Sequence, residues 1–410
     1  MNNASVKIAL FSPALPDSGV SNGIVTYVRV MRDAFRSLGH SVIVLAGNQI
    51  EHANGRVSAV PVGNGVVGRI RRSLEARRSS DASDLWVRLS IMEAFRAARR
   101  EGAQVFEIEE SYGWAARLIG KGPAVVTRLH GPHVYGRDEV ESPQQKKLGD
   151  LRESAELNAI RSVEAISCPS RRLLDAYLAR YGLELPLARA IPNPIAVVDP
   201  NMAWRVDQAD PNQILCVGRF DLRKGADLVV TAFAQALAVR PSLRLVMVGP
   251  DTGLMQADGT RVHFDDFVAR NLAPGTGERI RFLGPQPHDR IAKLRLQSGF
   301  SVVGSRFENF PYSIAEAMAV GMPVLASDSF GNVEMIRDGV DGRIVSVGDI
   351  AGIRDAMISL ASNPARLAEM GSAAYSKTAD WLSPERVARE TVSLYRTAIQ
   401  RMSDVSRSRF

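Results

Sequence analysis

Two acidic and two basic side chains in the second half of the sequence have types and spacing that could form a polar binding site. Glu308 and Glu316 lie in SRFENFPYSIAEAMAVGMPVLASD, and Arg219 and Lys224 lie in VGRFDLRKGAD, directly after the apolar segment QILC. A guanidinium and an ammonium group on one loop can neutralise a diphosphate without a metal ion. Carboxylates accept hydrogen bonds from hydroxyl groups, so the two glutamates suit a ligand with a diol at each end, such as a nucleotide sugar. An isolated Arg/Lys pair is usually only solvated loop charge, and the downstream glutamates are what favour a site.

The stretch around the second glutamate predicts the start of a helix that can bind an anion. Pro311 suits the first helical position, and Ser313 and Glu316 have the spacing of an S-x-x-E capping box. We expect the amides near Tyr312 to Ile314, together with the helix dipole, to form the anion site. Glu316 therefore has a structural explanation as a capping residue, whereas Glu308 has none of comparable quality.

Strands and helices alternate along both halves of the sequence, which predicts an α/β protein of two doubly wound domains. VKIALFS is a strand, IVTYVRVMRDAFRSLG a helix and HSVIVLAG the next strand, and later strands are expected at 57–61, 104–108, 124–129 and 163–168. The second half repeats the alternation from QILCVG onward. Parallel sheets of this kind bind ligands outside the carboxyl ends of their strands, so we expect an inter-domain cleft to hold the site.

Four prolines in PLARAIPNPIAVVDPNMAW, residues 186–204, predict the linker between the two domains. We therefore expect a first domain at 1–195 and a second at 196–383. A last helix is predicted at about 384–402, followed by a frayed polar tail.

Composition and charge narrow the class of protein. The 410 residues are 45% apolar and 23% charged, with a net charge of +7, which suits a globular protein with an anionic partner. No stretch approaches the roughly 18 apolar residues of a membrane span, and no leader pattern precedes the first predicted strand, so we expect a cytoplasmic protein. Cys168 and Cys216 lie in apolar segments and are expected to be small buried side chains.

Arginine is concentrated between Arg69 and Arg100, where Val66, Ile70 and Leu74 recur at helical spacing. One interpretation is a solvated helix face, and the other is a basic surface resting on anionic lipid headgroups. Nucleic acid is disfavoured because no aromatic residues interleave with the arginines.

Two further patterns favour ordinary structure over function. GNGVVG at 63–68 matches the dinucleotide pattern G-x-G-x-x-G, but it follows what we count as the third strand, so we interpret it as a loop. HGPH places His130 and His133 close together, but two histidines without a third ligand make a weak metal site.

GRFDLRKG followed by SRFENFPYSIAEAMAVGMPVLASD closely resembles the signature of the large fourth family of glycosyltransferases, which have the GT-B fold and retain anomeric configuration. The two cations have the family's spacing, and the two glutamates form its E-x7-E pattern. In the first half, SNGIVTYV is similar to the family's glycine loop, RLHGPHVY carries the family's histidine as His130, and AIPNPI resembles its inter-domain segment. The resemblance covers nearly the whole chain and is more specific in the second half. In this fold the last helix usually packs back on the first domain.

The resemblance implies a role for each matching residue. Glu308 would bind hydroxyls of the donor sugar, and Glu316 would bind the ribose diol. Arg219 and Lys224 would neutralise the departing diphosphate, and that phosphate would take the proton of the acceptor. The sequence contains no D-x-D triplet, which fits a mechanism without metal or cofactor.

The resemblance also implies donor-binding positions around these four residues. His130 would donate or accept a hydrogen bond near the reacting carbon, and Gly23 would let the backbone approach a phosphate closely. The remaining implied donor-binding residues are Asn309, Phe310, Pro311, Tyr312, Ser313 and Ile314.

These observations predict a retaining, metal-independent hexosyltransferase. It would move a sugar from a UDP or GDP donor to a hydroxyl of a glycan or glycolipid, in bacterial surface polysaccharide synthesis. Two alternatives stay open: a sugar-nucleotide epimerase of the same fold, and a non-catalytic nucleotide-sugar binding subunit. The expected location is the cytoplasm, with the region Arg69 to Arg100 as a candidate contact with the inner face of the membrane.

Overall fold

The computed structural model describes residues 4–20, 22–60, 82–137, 143–196 and 198–407. The chain divides into two compact units. The first unit contains the described residues up to Arg137, residues 143–194 and the C-terminal segment from Pro384. The second unit contains Ile195–Ser383. The chain passes between the units within the predicted linker and again directly before the last helix.

The first unit contains one sheet with helices on its faces. Its strands are β1 (Lys7–Phe11), β2 (Ser41–Ala46), β3 (Gln49–Glu51), β4 (Val57–Ala59), β5 (Val105–Glu109), β6 (Ala124–Arg128), β7 (Ala165–Cys168) and β8 (Ala188–Ala190). Its described helices are α1 (Gly23–Ser37), α2 (Ala82–Arg100), α3 (Pro143–Ile160), α4 (Arg171–Tyr181) and, last in the chain, α12 (Pro384–Arg407). The strand order is β4-β3-β2-β1-β5-β6-β7-β8. In this order, all neighbouring strands from β2 to the β8 edge pair in parallel.

The second unit repeats this architecture. Its strands are β9 (Asp210–Val217), β10 (Arg244–Val248), β11 (Leu254–Met255), β12 (Arg261–Val262), β13 (Ile280–Phe282), β14 (Ser298–Val303), β15 (Val324–Ser327) and β16 (Arg343–Val345). Its helices are α5 (Ala226–Val239), α6 (Phe264–Asn271), α7 (His288–Gln297), α8 (Tyr312–Ala319), α9 (Asn332–Met335), α10 (Ile350–Ala361) and α11 (Pro364–Trp381). The main sheet has the order β13-β10-β9-β14-β15-β16 and is parallel throughout, while β11 and β12 form a separate antiparallel pair.

The apolar runs of the sequence form these strands because both faces of a parallel sheet are covered. All six residues of β14 are buried, and so are four of the five residues of β10. Such strands have near-continuous apolar sequences rather than alternating ones. The predicted alternation of strands and helices is confirmed. Both cysteines are buried, as expected from their apolar surroundings.

One local prediction is wrong, and two short strands were not predicted. The predicted linker contains β8, a strand of three residues that forms by parallel pairing with β7 and has no pattern of its own. β3 was not predicted, and it pairs antiparallel with both β2 and β4 at one edge of the first sheet. The tail that was predicted to be frayed is helical as far as Arg407, the last residue of α12. Gln400 donates to Asp404 at 2.9 Å, which stabilises the last turns.

Candidate functional site

The loop between β9 and α5 carries the two predicted cations and approaches the loop after β14. Gly225 caps α5 in the left-handed region, at φ 63°. A Cβ atom at Gly225 would lie 1.8 Å from the carbonyl oxygen of Gly304, so glycine is required for the loops to come this close. The two glycine-bounded loops therefore meet at the carboxyl ends of adjacent strands.

Asp221 organises the cations on the first loop. Its Oδ1 accepts from the Lys224 backbone N–H at 2.7 Å, and its Oδ2 accepts from Arg219 Nε at 2.7 Å. The Arg219 side chain is 43% exposed, whereas that of Lys224 is 22% exposed. Arg219 is therefore an oriented but accessible guanidinium, and Lys224 is directed into the protein.

Glu308 lies on the second loop and pairs with Lys224. Its Oε1 accepts from Lys224 Nζ and from Ser305 Oγ, the latter at 2.9 Å, and its backbone N–H donates to Ser329 Oγ at 2.6 Å. Glu308 is only 6% exposed. The expectation that Glu308 has no structural explanation is wrong, because it is buried and has three partners within its unit. Of the two predicted cations and two predicted glutamates, the structure thus brings Lys224 and Glu308 into direct contact.

A second ion pair fixes the two loops beside this contact. Arg306 donates to both carboxylate oxygens of Asp227 at 2.7 Å, and its backbone N–H donates to the Arg223 carbonyl at 2.9 Å. A bidentate pair of this kind restricts the geometry of both groups. It therefore stabilises the close approach of the loops, and the sequence analysis did not identify it.

The helix after Glu308 begins differently from the prediction. α8 starts at Tyr312, with Pro311 as its N-cap residue and no side-chain cap. Ser313 is therefore the second helical residue, and the predicted capping box is absent. Its failure has a local reason, since Pro311 occupies the cap position with extended backbone, at φ −74° and ψ 120°. The Ile314 N–H donates to the Pro311 carbonyl at 3.1 Å, so this amide already has a hydrogen-bond partner within the chain.

Glu316 pairs with Arg295 of α7 instead of capping α8. Its Oε2 accepts from the Arg295 guanidinium, whose side chain is 7% exposed, while that of Glu316 is 25% exposed. The carboxylate is thus held by a buried cation with part of its surface accessible. The capping explanation for Glu316 is wrong, and a long-range ion pair replaces it.

The residues between the two glutamates are mostly buried. Asn309, Phe310 and Ile314 are 5%, 7% and 0% exposed, and the Phe310 ring lies 5.9 Å from the ring of Trp381. A Cβ atom at Gly331 would lie 1.6 Å from the Asn309 carbonyl oxygen, so this segment packs closely against the turn after β15. Phe310 and Ile314 therefore belong to the core of the second unit.

The other two predicted site residues lie in the first unit. Gly23 is the first residue of α1, where the Asn22 side chain accepts from the Ile24 N–H at 2.7 Å and caps the helix. His130 follows β6, and its backbone N–H donates to Glu110 at 2.9 Å. Burial, reinforced by the positive charge of Arg128, lowers the pKa of His130 well below its usual value. His130 is accordingly a neutral imidazole at physiological pH.

Several sequence predictions concern residues outside the described part of the chain. The G-x-G-x-x-G match at 63–68 lies there, as does the first part of the basic segment, up to residue 81, while α2 is its described part. No group of three metal-ligating side chains occurs among the described residues. No described helix is long and apolar enough to cross a membrane.

Four residues of this site escaped the sequence analysis: Asp221, Arg295, Ser305 and Ser329. Asp221 stands between the two cations in GRFDLRKG, and its position three residues before Lys224 was a usable signal for an Asx-type turn. The other three act across long sequence separations or through a hydroxyl group, and no local pattern marks them.

Two doubly wound units with this loop constellation define a glycosyltransferase of the GT-B type. The model of the family described as Glycosyl transferases group 1 matches residues 202–377, and that of Glycosyltransferase Family 4 matches residues 21–198. The chain belongs to these family 4 glycosyltransferases.

Curated relatives and solved structures agree with this assignment. The D-inositol 3-phosphate glycosyltransferase of Kribbella flavida is 24% identical over 95% of this chain and 93% of its own length. The D-inositol 3-phosphate glycosyltransferase 1 of Catenulispora acidiphila is 28% identical over 76% of this chain and 77% of its own. Among solved structures, sucrose-phosphate synthase from Thermosynechococcus elongatus superposes with a TM-score of 0.68 at 21% identity, covering 96% of this chain and 98% of the other. Anabaena HepE, solved with UDP and glucose, gives a TM-score of 0.59 at 17% identity, covering 95% and 98%.

Proposed function

We propose that this protein transfers a sugar from a nucleoside-diphosphate donor to a hydroxyl acceptor with retention of configuration. The observation that carries the proposal is the ion pair between Lys224 and Glu308, on two loops that meet at the carboxyl ends of the adjacent strands β9 and β14. It supports the proposal because a cation that suits a phosphate lies beside a carboxylate that suits sugar hydroxyls. Arg219, oriented by Asp221 and accessible, supplies a second cation on the same loop.

Each residue then has a chemical task in the transfer. Lys224 and Arg219 stabilise the negative charge that develops on the diphosphate as the sugar leaves, which is the kind of electrostatic term that dominates such reactions. Glu308 orients the donor sugar by accepting from its hydroxyls, and Glu316, held by Arg295, accepts from the ribose diol. His130, as a neutral imidazole, forms a hydrogen bond near the reacting carbon. The departing phosphate takes the proton of the acceptor hydroxyl.

The proposed reaction does not need a metal ion, because the two cations occupy the role that a divalent ion has in other glycosyltransferases. Transfer should therefore persist in excess EDTA at the rate measured with added Mg²⁺ or Mn²⁺. Abolition of transfer by EDTA, with recovery on addition of the metal, would contradict this part of the proposal.

The base of the donor can be identified by binding. A ligand that binds only the native state raises the melting temperature according to its affinity. Melting curves with UDP, GDP and ADP, alone and as their common sugar conjugates, therefore rank the donors directly. The relative solved with UDP makes UDP the first nucleotide to test. Absence of stabilisation by any of these nucleotides would contradict the proposed donor class.

For the acceptor we propose a hydroxyl on a glycan or glycolipid of the bacterial surface. The names of the curated relatives contain a different compound, D-inositol 3-phosphate, which also carries several hydroxyl groups. Incubation of the enzyme and its donor with inositol 3-phosphate, unphosphorylated inositol and a lipid-linked sugar separates these classes. Product formation with inositol 3-phosphate alone would replace the surface-glycan proposal.

The two alternative functions predict different products. An epimerase converts the donor without an acceptor, so analysis of the sugar after incubation with donor alone distinguishes it. A non-catalytic binding subunit binds the nucleotide sugar but forms no product with any acceptor.

We also propose that the protein acts in the cytoplasm and rests on the inner face of the membrane. Outside the basic segment, α3 supports this, because Leu148 and Leu151 are each 60% exposed and Lys146 and Lys147 are exposed beside them. Apolar side chains flanked by lysines suit an anionic lipid surface. Co-sedimentation with phosphatidylglycerol vesicles should weaken on Leu148→Ser, with Val239→Ser, exposed in the second unit, as the control. No binding of the wild type at low salt would contradict membrane association.

A further inference from the structure

Arg128 is a fully buried arginine at the end of β6, two residues before His130, and its exposed fraction is 0%. Its Nη2 donates to the carbonyl oxygen of Ile191 at 2.9 Å and to the side-chain oxygen of Asn193 at 2.8 Å. Its Nη1 donates to Ser167 Oγ at 3.2 Å. A buried charge is stable only when it has such partners, so the position of the guanidinium is closely determined.

The guanidinium is also connected to His130 through an aromatic ring. Its Cζ lies 4.2 Å from the centroid of the Tyr27 ring, in a cation–π contact. The Tyr27 ring also packs against His130, whose ring is edge-on at 5.2 Å with an interplanar angle of 70°. Tyr27 is 0% exposed, so it transmits the position of Arg128 to the imidazole through close packing.

The backbone of His130 is fixed independently. Glu110 accepts from the N–H groups of His130 and Gly131 at 2.9 and 2.7 Å. Near His130, Tyr27 of α1 packs against the imidazole ring, Glu110 after β5 binds the backbone, and the positive charge of Arg128 of β6 acts on the ring. With the backbone held by Glu110, the remaining freedom is that of the ring, and Tyr27 restricts it.

We propose that Arg128 is a positioning residue for the transfer reaction, holding the His130 imidazole in its working orientation through Tyr27. The inference rests on the proposed role of His130 near the reacting carbon.

The test compares Arg128→Lys with Arg32→Lys. Arg32 is the matched control, because it is a buried arginine of the same unit, 7% exposed, and its ion pairs are with Glu51, Asp17 and Asp33 rather than with the His130 cluster. Both variants keep a positive charge, and both lose the planar fork of the guanidinium. We expect Arg128→Lys to lower kcat by roughly 10- to 100-fold with a smaller change in the KM for donor, as misplacement of a reacting group does. Arg32→Lys should leave kcat within about twofold.

The structural readout is the His130 ring signal in a histidine-labelled NMR sample, assigned with His130→Gln. Arg128→Lys should shift this signal and its titration, whereas Arg32→Lys should not. If Arg128→Lys does not fold, Tyr27→Leu tests the same connection and should shift the same signal. An unchanged His130 signal in folded Arg128→Lys or Tyr27→Leu overturns the inference. Full activity of His130→Ala instead overturns the proposed role of His130, whereas an inactive His130→Ala beside a fully active Arg128→Lys overturns the inference alone.

Discussion

Lys224 and Glu308 form an ion pair across two loops of the second unit, although 84 residues separate them in the sequence. Their side chains are 22% and 8% exposed, so the pair is largely shielded from water. A donor phosphate at Lys224 and a sugar hydroxyl at Glu308 would each meet a group that is already oriented. Preorganisation of this kind lowers the ordering cost of binding and of the transition state.

Replacement of Glu308 by alanine should abolish turnover and also destabilise the protein. It removes the carboxylate that we propose orients the sugar and leaves Lys224 without its buried partner, which we expect to cost about 2 kcal/mol of unfolding free energy. Steady-state kinetics and urea unfolding measure the two effects. The control is Glu385→Ala, which breaks an exposed pair with Arg389 and should change neither quantity appreciably. Unchanged turnover in folded Glu308→Ala would remove the central claim.

Replacement of Arg219 by alanine should cost on the order of 2–4 kcal/mol of transition-state stabilisation, seen mainly as a lower kcat. The matched control is Arg205→Ala, because Arg205 forms the same two-residue pair with Asp207 as Arg219 does with Asp221, at 2.8 and 2.7 Å respectively. It lies in the same unit but outside the site loops. A rise in KM alone for Arg219→Ala would show that Arg219 only binds the donor.

Replacement of Glu316 by glutamine should raise the KM for the donor more than it lowers kcat. The amide keeps the size of the side chain but weakens its hydrogen bond with Arg295 and the proposed hydrogen bonds with the ribose diol. Calorimetric titration with the nucleotide should show a matching loss of affinity. An equal loss of kcat with unchanged nucleotide affinity would place Glu316 at the reacting sugar instead.

Glu110 should make stability fall as the pH rises. Burial, together with the negative charges of Glu109 and Glu156, raises the pKa of Glu110 from 4.5 to about 8. Between these values the native state binds more protons than the unfolded state, so the unfolding free energy decreases with increasing pH. The melting temperature of the wild type should therefore fall relative to that of Glu110→Gln as the pH is raised through this window.

The comparison with Glu110→Gln is needed because His130 acts in the opposite direction. Its lowered pKa makes the folded state more stable as the pH rises, and both proteins share that contribution. Glutamine offers one acceptor to two backbone N–H groups, so the variant should be less stable overall, and the slope is the informative quantity. Parallel melting curves across the window would contradict the raised pKa.

The sequence by itself determined the alternation of strands and helices and the positions of the two charged motifs. Both are local properties. A buried parallel strand needs a continuous apolar run, and the loop at its carboxyl end begins where that run stops. After β9, for example, the loop begins at Gly218. The loops carrying Lys224 and Glu308 could therefore be placed before the structure was known.

Only the tertiary structure decided which groups these residues contact. The capping explanation for Glu316 failed because Pro311 takes the cap position, and Arg295, 21 residues away, provides the partner. The burial of Glu308 and the buried position of Arg128 follow from packing between strands that are distant in sequence. Ion pairs across such distances depend on where the sheet brings its strand ends, and no spacing along the chain encodes that.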